Sequence, residues 1–215
     1  MGVLVPVEGL DGAGKRTLTT AVVGELTGRG LRVATLAFPR YGVSVHADLA
    51  AEALRGGHGD VAASVNAMAL LFALDRFDAR DELSKLLADN DIVLLDRYVA
   101  SNAAYSAARL EQDATGEIVA WVAELEFERF GLPVPNMQIL LDVPVNVAEE
   151  RARSRGEADA TRALDAYEKD GGLQRRTGTV YRELAEINWH GTWWTHRTGD
   201  DPATLAARIA ENVAG

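Results

Sequence analysis

Short apolar runs alternate along this chain with longer stretches whose apolar residues recur at helical spacing. The runs at 2–8 (Gly-Val-Leu-Val-Pro-Val-Glu), 32–37 (Arg-Val-Ala-Thr-Leu-Ala), 91–96 (Asp-Ile-Val-Leu-Leu-Asp), 137–142 (Met-Gln-Ile-Leu-Leu-Asp) and 192–197 predict strands. The stretches 15–29, 62–89, 101–110, 115–130, 146–189 and 202–213 predict helices, with a polar, glycine-containing break near 154–161. Strands alternating with helices predict an α/β fold, a five-stranded parallel sheet covered by helices on both faces. A length of 215 residues without repeats or low-complexity tracts suits a single domain spanning 1–215. Pro6 resists this reading. It lies inside the first strand, where proline removes a ladder hydrogen bond and normally belongs at an edge.

Composition narrows the class. Hydrophobic residues make up 47 % and charged residues 25 %, enough to bury a core. The net charge of −10 argues against a nucleic-acid partner, which normally meets a basic surface, and leaves room for a local basic pocket holding a small anion. No apolar run reaches bilayer-spanning length, and the N-terminus lacks the basic start and long apolar stretch of a signal peptide. Met1-Gly2 opens a myristoylation-like start, but Pro6 occupies the position where that motif has Ser or Thr. Cysteine is absent, which excludes disulfides and thiolate zinc sites. The expectation is a soluble cytoplasmic protein with no membrane partner.

Residues 9–17 read Gly-Leu-Asp-Gly-Ala-Gly-Lys-Arg-Thr, directly after a strand and directly before a helix. That is the P-loop pattern in the context it requires. Gly9, Gly12 and Gly14 let the backbone turn so that N–H groups, with that of Ala13, point at phosphate oxygens. Lys15 supplies a point charge to the β- and γ-phosphates of ATP, and the helix start adds its dipole. The spacing differs from the dinucleotide fingerprint Gly-x-Gly-x-x-Gly. Arg16 stands where a Ser or Thr normally holds Mg²⁺. Either Thr17 substitutes or carboxylates such as Asp11 hold the ion, and Arg16 adds positive charge near the transferring group. Asp96 and Arg97 end the third strand, where ligands of open α/β sheets collect, and Arg97 presents a planar fork suited to a phosphate monoester. Ser101 and Tyr105 then share one face of the following helix, and Asn102 lies close to it.

With Asp96-Arg97-Tyr98-Val99-Ala100-Ser101-Asn102-Ala103-Ala104-Tyr105 added to the P-loop, the chain resembles thymidylate kinases. Phe38-Pro39-Arg40-Tyr41-Gly42 and Leu71-Phe72-Ala73-Leu74-Asp75-Arg76 also match, in the same order. The resemblance covers nearly the whole chain and is strongest to actinobacterial members. Ser106 departs from it, since many members carry glutamine there. The resemblance implies a P-loop NTPase fold of the nucleoside monophosphate kinase type, a homodimer, and phosphorylation of dTMP by ATP with Mg²⁺. It implies that Phe72 stacks on the base while Arg76 and Asn102 meet its edge. Phe38, Arg40, Tyr41, Arg97 and Ser101 are implied at the acceptor and its phosphate, with Tyr105 against the sugar and Asp11 between the two phosphates. Tyr105 is expected to exclude a ribose hydroxyl by ring bulk rather than through its phenol oxygen.

Residues 150–162, Glu-Arg-Ala-Arg-Ser-Arg-Gly-Glu-Ala-Asp-Ala-Thr-Arg, resemble the mobile lid that such enzymes close over ATP. Some members place a catalytic arginine in the P-loop after the aspartate. Here that position is Gly12, so the resemblance assigns the charge to Arg151 and Arg155, one helical turn apart, with Arg162 toward ATP. Asp165, Tyr167 and Glu168 are implied at the acceptor phosphate or metal, Glu168 with Asp11 as a metal ligand. The competing readings are another nucleoside monophosphate kinase and an NTP-dependent switch protein.

Overall fold

Period-two alternation in the strands builds the two faces of the sheet. Leu4, Val93, Leu95 and Leu140 pack to one side, and Val3, Val5, Val7, Ile92, Leu94, Ile139 and Leu141 to the other. The computed structural model of the chain describes residues 2–158 and 166–214, the side chains of 155–158, 168, 169 and 214 excepted. The strands are β1 (Val3–Glu8), β2 (Val33–Ala37), β3 (Ile92–Asp96), β4 (Met137–Asp142) and β5 (Thr192–Arg197). All pair in parallel in the order β2-β3-β1-β4-β5. Burial on both faces explains why these strands read as continuous apolar runs.

The first face is covered by α4 (Arg80–Asp89), α5 (Val99–Arg109), α6 (Glu117–Ala123) and α9 (Gly171–Glu186). The second is covered by α1 (Lys15–Gly28) and α10 (Pro202–Ala214), through Leu18, Val22, Leu26, Leu205 and Ile209. Beside them stand α2 (Val45–Leu54), α3 (Val65–Asp78), α7 (Val145–Ala158) and the short α8 (Ala166–Lys169). A π-helical turn, Glu124–Arg129, extends α6. Five alanines of α5, at 100, 103, 104, 107 and 108, are fully buried and let that helix lie close to its neighbours.

The helix boundaries differ from the pattern reading in three places. The stretch 62–89 is two helices, α3 and α4, that meet at Ala79, a buried residue whose dihedrals belong to a turn between them. The pattern carried no element between 38 and 61, yet α2 forms there, with Ser44 Oγ accepting from Ala47 N. The break predicted near 154–161 is not seen where it is described, since α7 continues to Ala158.

Pro6 is explained by which neighbour it faces. Leu4 O accepts from Asn136 N, and Leu4 N donates to Asn136 Oδ1, so Leu4 points its backbone toward β4. Alternation turns Pro6 the same way. The β1–β4 ladder begins only at Val7↔Ile139, whereas β3 pairs with β1 from Val3 to Val7. The missing N–H therefore falls on the one flank of a central strand where the ladder has not yet begun.

Candidate active site

The phosphate loop is shaped by backbones that crowd it. Gly9, Gly12 and Gly14 have φ of 141°, 78° and 102°, a region that side chains rarely adopt. A Cβ on Gly9 would lie 2.7 Å from Leu141 O, and one on Gly12 would lie 2.0 Å from Ala148 O in α7. The second clash shows why no arginine can stand at position 12 in this loop. Gly14 caps α1 without a side chain, so the first amides of the helix carry no side-chain cap. Lys15 is buried and donates from Nζ to Gly9 O (3.1 Å) and Leu10 O (3.0 Å). Burial, with the Arg97 cation nearby, pushes its ammonium down to about 8 against the pull of Asp11, Asp96 and Glu8. Arg16 and Thr17 are exposed on the first turn of α1. Arg151 of α7 reaches the same loop, with Nη1 3.4 Å from Ala13 O.

A polar centre joins this loop to the end of β3. Arg97 sits at φ 68°, a conformation uncommon for a side-chain-bearing residue and one that functional sites often hold. Its Nη2 donates to Asp11 Oδ1 at 2.7 Å, and its Nη1 donates to Ser101 Oγ (3.0 Å) and Tyr181 OH (3.2 Å). Tyr105 OH donates to the other Asp11 oxygen at 2.8 Å. Burial opposes ionisation of Asp11, but the charges of Arg97 and Lys15 hold its carboxyl well below the usual range. Burial raises the Tyr105 phenol, which keeps its proton and remains a donor. Beneath lies Glu8, fully buried, which accepts from Tyr98 N, Ser101 Oγ and Tyr181 OH. Burial raises its carboxyl, and hydrogen bonds and Arg97 oppose that rise.

The other expected acceptor residues that are described lie on α3, α5, α8 and the loop after β2. Phe38 is buried against Tyr98, with ring centroids 6.1 Å apart, and precedes a cis Pro39. Arg40 commits its guanidinium to Asp75 Oδ1 (2.8 Å) and the Asp75 carbonyl (2.8 Å), with Glu82 at 3.5 Å. It therefore anchors its loop to α3. Tyr41 is 51 % exposed beside it. Phe72 is half-buried on α3 near Met68, Leu54 and Tyr167. Arg76 and Asn102 are buried together around Glu126. Tyr167 stacks on Tyr105 at 6.0 Å and 15°, and its OH accepts from Arg109. Arg162 and Asp165 lie outside the described residues, as do the side chains of Arg155 and Glu168.

Glu8, Glu126 and Tyr181 belong to this constellation and were not singled out by sequence reading, and Asp75 entered only as part of a matching motif, with no role of its own. Glu8 left a signal of its own, a carboxylate closing an apolar strand just before the phosphate loop. Glu126 and Tyr181 are drawn in by helix packing.

The family model described as thymidylate kinase matches residues 7–196. The chain belongs to the thymidylate kinase family. It is 56 % identical over 207 residues to the thymidylate kinase of Mycobacterium tuberculosis, covering 96 % of this chain and 97 % of that one. It is 32 % identical to a probable thymidylate kinase of Archaeoglobus fulgidus, over 77 % of each chain. It is 35 % identical to a thymidylate kinase of Xanthomonas oryzae, over 73 % of this chain and 63 % of that one. The expected likeness to actinobacterial members holds. As a thymidylate kinase the chain is an enzyme that phosphorylates dTMP with ATP as donor. Among its described residues, no helix is long and apolar enough to cross a membrane.

Proposed function

We propose that this chain carries the donor phosphates over the P-loop amides, Lys15 and Arg151, and holds dTMP across Phe72, Arg76, Arg97, Asn102 and Tyr105. The observation that carries this reading is Asp11, whose carboxylate pairs with Arg97 at 2.7 Å and lies in the field of Lys15. One aspartate thus couples the lysine of the donor loop to the arginine of the acceptor side. The acceptor is a phosphate monoester with a second pKa near 6, so at neutral pH it is mostly dianionic and needs no general base. It needs relief from repulsion by the γ-phosphate, in-line placement and exclusion of water. Arg97 gives the first by meeting the acceptor phosphate. Lys15 neutralises charge building on the transferring group, and Arg151 adds a second cation at the loop.

Mg²⁺ belongs to this reading. The ionised Asp11 carboxylate is a hard oxygen donor that suits the ion, and Thr17 offers an exposed hydroxyl on the turn where the motif expects one. Glu168, the other expected ligand, has its side chain outside the described residues. When bound, the ion shields charge on the β- and γ-phosphates. We also assign a cytoplasmic location and a homodimer, the dimer supported by Leu70 and Phe77, which are exposed and seven apart on α3.

A coupled assay for ADP, run with a panel of nucleoside monophosphates, tests the function. ADP formation should depend on dTMP, and more weakly on dUMP. Equal ADP with and without dTMP would overturn it. Arg151→Ala should lower kcat by about tenfold or more while shifting both KM values less, as for a contact made chiefly in the transition state. Wild-type kinetics would return Arg151 to the solvated face of α7.

A further inference from the structure

Arg76 and Asn102 come from different helices, α3 and α5, yet one carboxylate serves both. Glu126 belongs to the π-helical turn and is fully buried. Its Oε2 accepts from Arg76 Nε at 2.5 Å, and its Oε1 accepts from Arg76 Nη2 and from Asn102 Nδ2, each at 2.8 Å. The second Nδ2 hydrogen of Asn102 goes to Ala69 O at 2.9 Å. Both partners of that amide nitrogen are acceptors without a proton, so the amide can sit only one way round. Its free end is Oδ1, an acceptor. The free end of Arg76 is Nη1, a donor. Neither atom has a partner among the described residues. Neither is among the described polar atoms buried without a partner, which are Thr19 Oγ1, Glu149 Oε1 and Thr177 Oγ1.

A guanidinium donor and an amide acceptor together match a base edge carrying a carbonyl and an N–H. Thymine and uracil present that edge with O4 and N3–H. Cytosine presents the reverse, an amine at position 4 and an unprotonated N3. The buried Arg76 charge is also cancelled by Glu126, which suits a neutral base.

We propose that Glu126 is the positioning residue for base choice: it locks Arg76 and the Asn102 amide in the one register that accepts thymine or uracil and rejects cytosine. This rests on the assignment of Arg76 and Asn102 to the base edge. Glutamine at 126 keeps the volume but has one acceptor end. Whichever way it turns, its NH₂ meets either Arg76 Nε or the Arg76 Nη2 and Asn102 Nδ2 donors.

The test is calorimetric binding of dTMP, dUMP and dCMP to wild type, Glu126→Gln and Glu126→Asp, with KM for ATP and thermal melting alongside. Wild type should bind dTMP and dUMP in preference to dCMP. Glu126→Gln should weaken dTMP by about tenfold or more, the loss of a charge-assisted hydrogen bond. It should weaken dCMP much less and leave KM for ATP unchanged, so the dTMP-to-dCMP affinity ratio narrows. Glu126→Asp keeps the charge but withdraws both oxygens by one methylene, so the ratio should narrow less. If Glu126→Gln gives no cooperative melt, Glu126→Asp decides by the same ratio. A ratio equal to wild type, whatever happens to the melting temperature, makes Glu126 a packing residue and overturns the proposal. A wild-type enzyme that ignores dTMP would instead sink the assignment of function.

Discussion

Lys15→Ala is expected to cut turnover by about a hundredfold to a thousandfold, the range for removing a preorganised charge partner from a developing anion. The side chain is buried at the start of α1 and is held by Gly9 O and Leu10 O, so its position does not wait on ligand. Little reorganisation is then needed when charge gathers on the transferring phosphoryl. Its ammonium also titrates early, at about 8, because burial and Arg97 disfavour the charge. ATP favours the charged form. Binding ATP near pH 8 should therefore be accompanied by net proton uptake. Calorimetry in buffers of different ionisation enthalpy reads that uptake directly, and Lys15→Ala should abolish it. The kcat/KM for ATP should fall as pH rises through 8. A buffer-independent enthalpy, or a variant that keeps wild-type turnover, would remove Lys15 from the donor site.

Arg97→Ala is expected to act on the other substrate, weakening dTMP by about 1.5–3 kcal/mol. The guanidinium lies in the polar centre between Asp11, Ser101 and Tyr181, and no second arginine is described in contact with that group. Affinity for ATP should change less. Dissociation constants for both ligands separate the two effects, and intact dTMP binding would refute the acceptor assignment. The variant also tests the pair. In wild type the Asp11 carboxyl is held below its ordinary value, so the pair stabilises the fold above the unfolded carboxylate pKa of about 3.9 and ceases to do so as pH falls further. Arg97→Ala should melt earlier than wild type at neutral pH, and the gap should close in acid. A gap that stays constant as pH is taken well below about 3.9 would mean the pair adds no pH-dependent stability.

The same comparison bears on Tyr105. Tyr105→Phe keeps a preference for deoxyribose only if the phenol does not itself orient the ring, and the phenol donates to Asp11 at 2.8 Å. The hydroxyl therefore orients the ring, so Tyr105→Phe is not the silent change that bulk alone predicts.

Much of this was legible in one dimension because its causes are local. Five apolar runs, a glycine loop between β1 and α1, and a strand ending in Asp96-Arg97 determine their own neighbourhoods through period-two burial, positive-φ glycines and helix-start dipoles. Order along the chain then carried the family resemblance. What the sequence left undecided depends on which surfaces meet. Pro6 is tolerated because its blank flank faces the start of the β4 ladder, a fact about register. Arg40 turns to Asp75 because α3 passes beside its loop, and the stretch 62–89 divides at Ala79 where two helices must turn. Glu126 stands 50 residues from Arg76 and 24 from Asn102, so no spacing rule joins them. Only packing of α3, α5 and the π-helical turn buries that carboxylate with two donors that must find acceptors, because a buried polar group left unpaired costs more than the contact it lost.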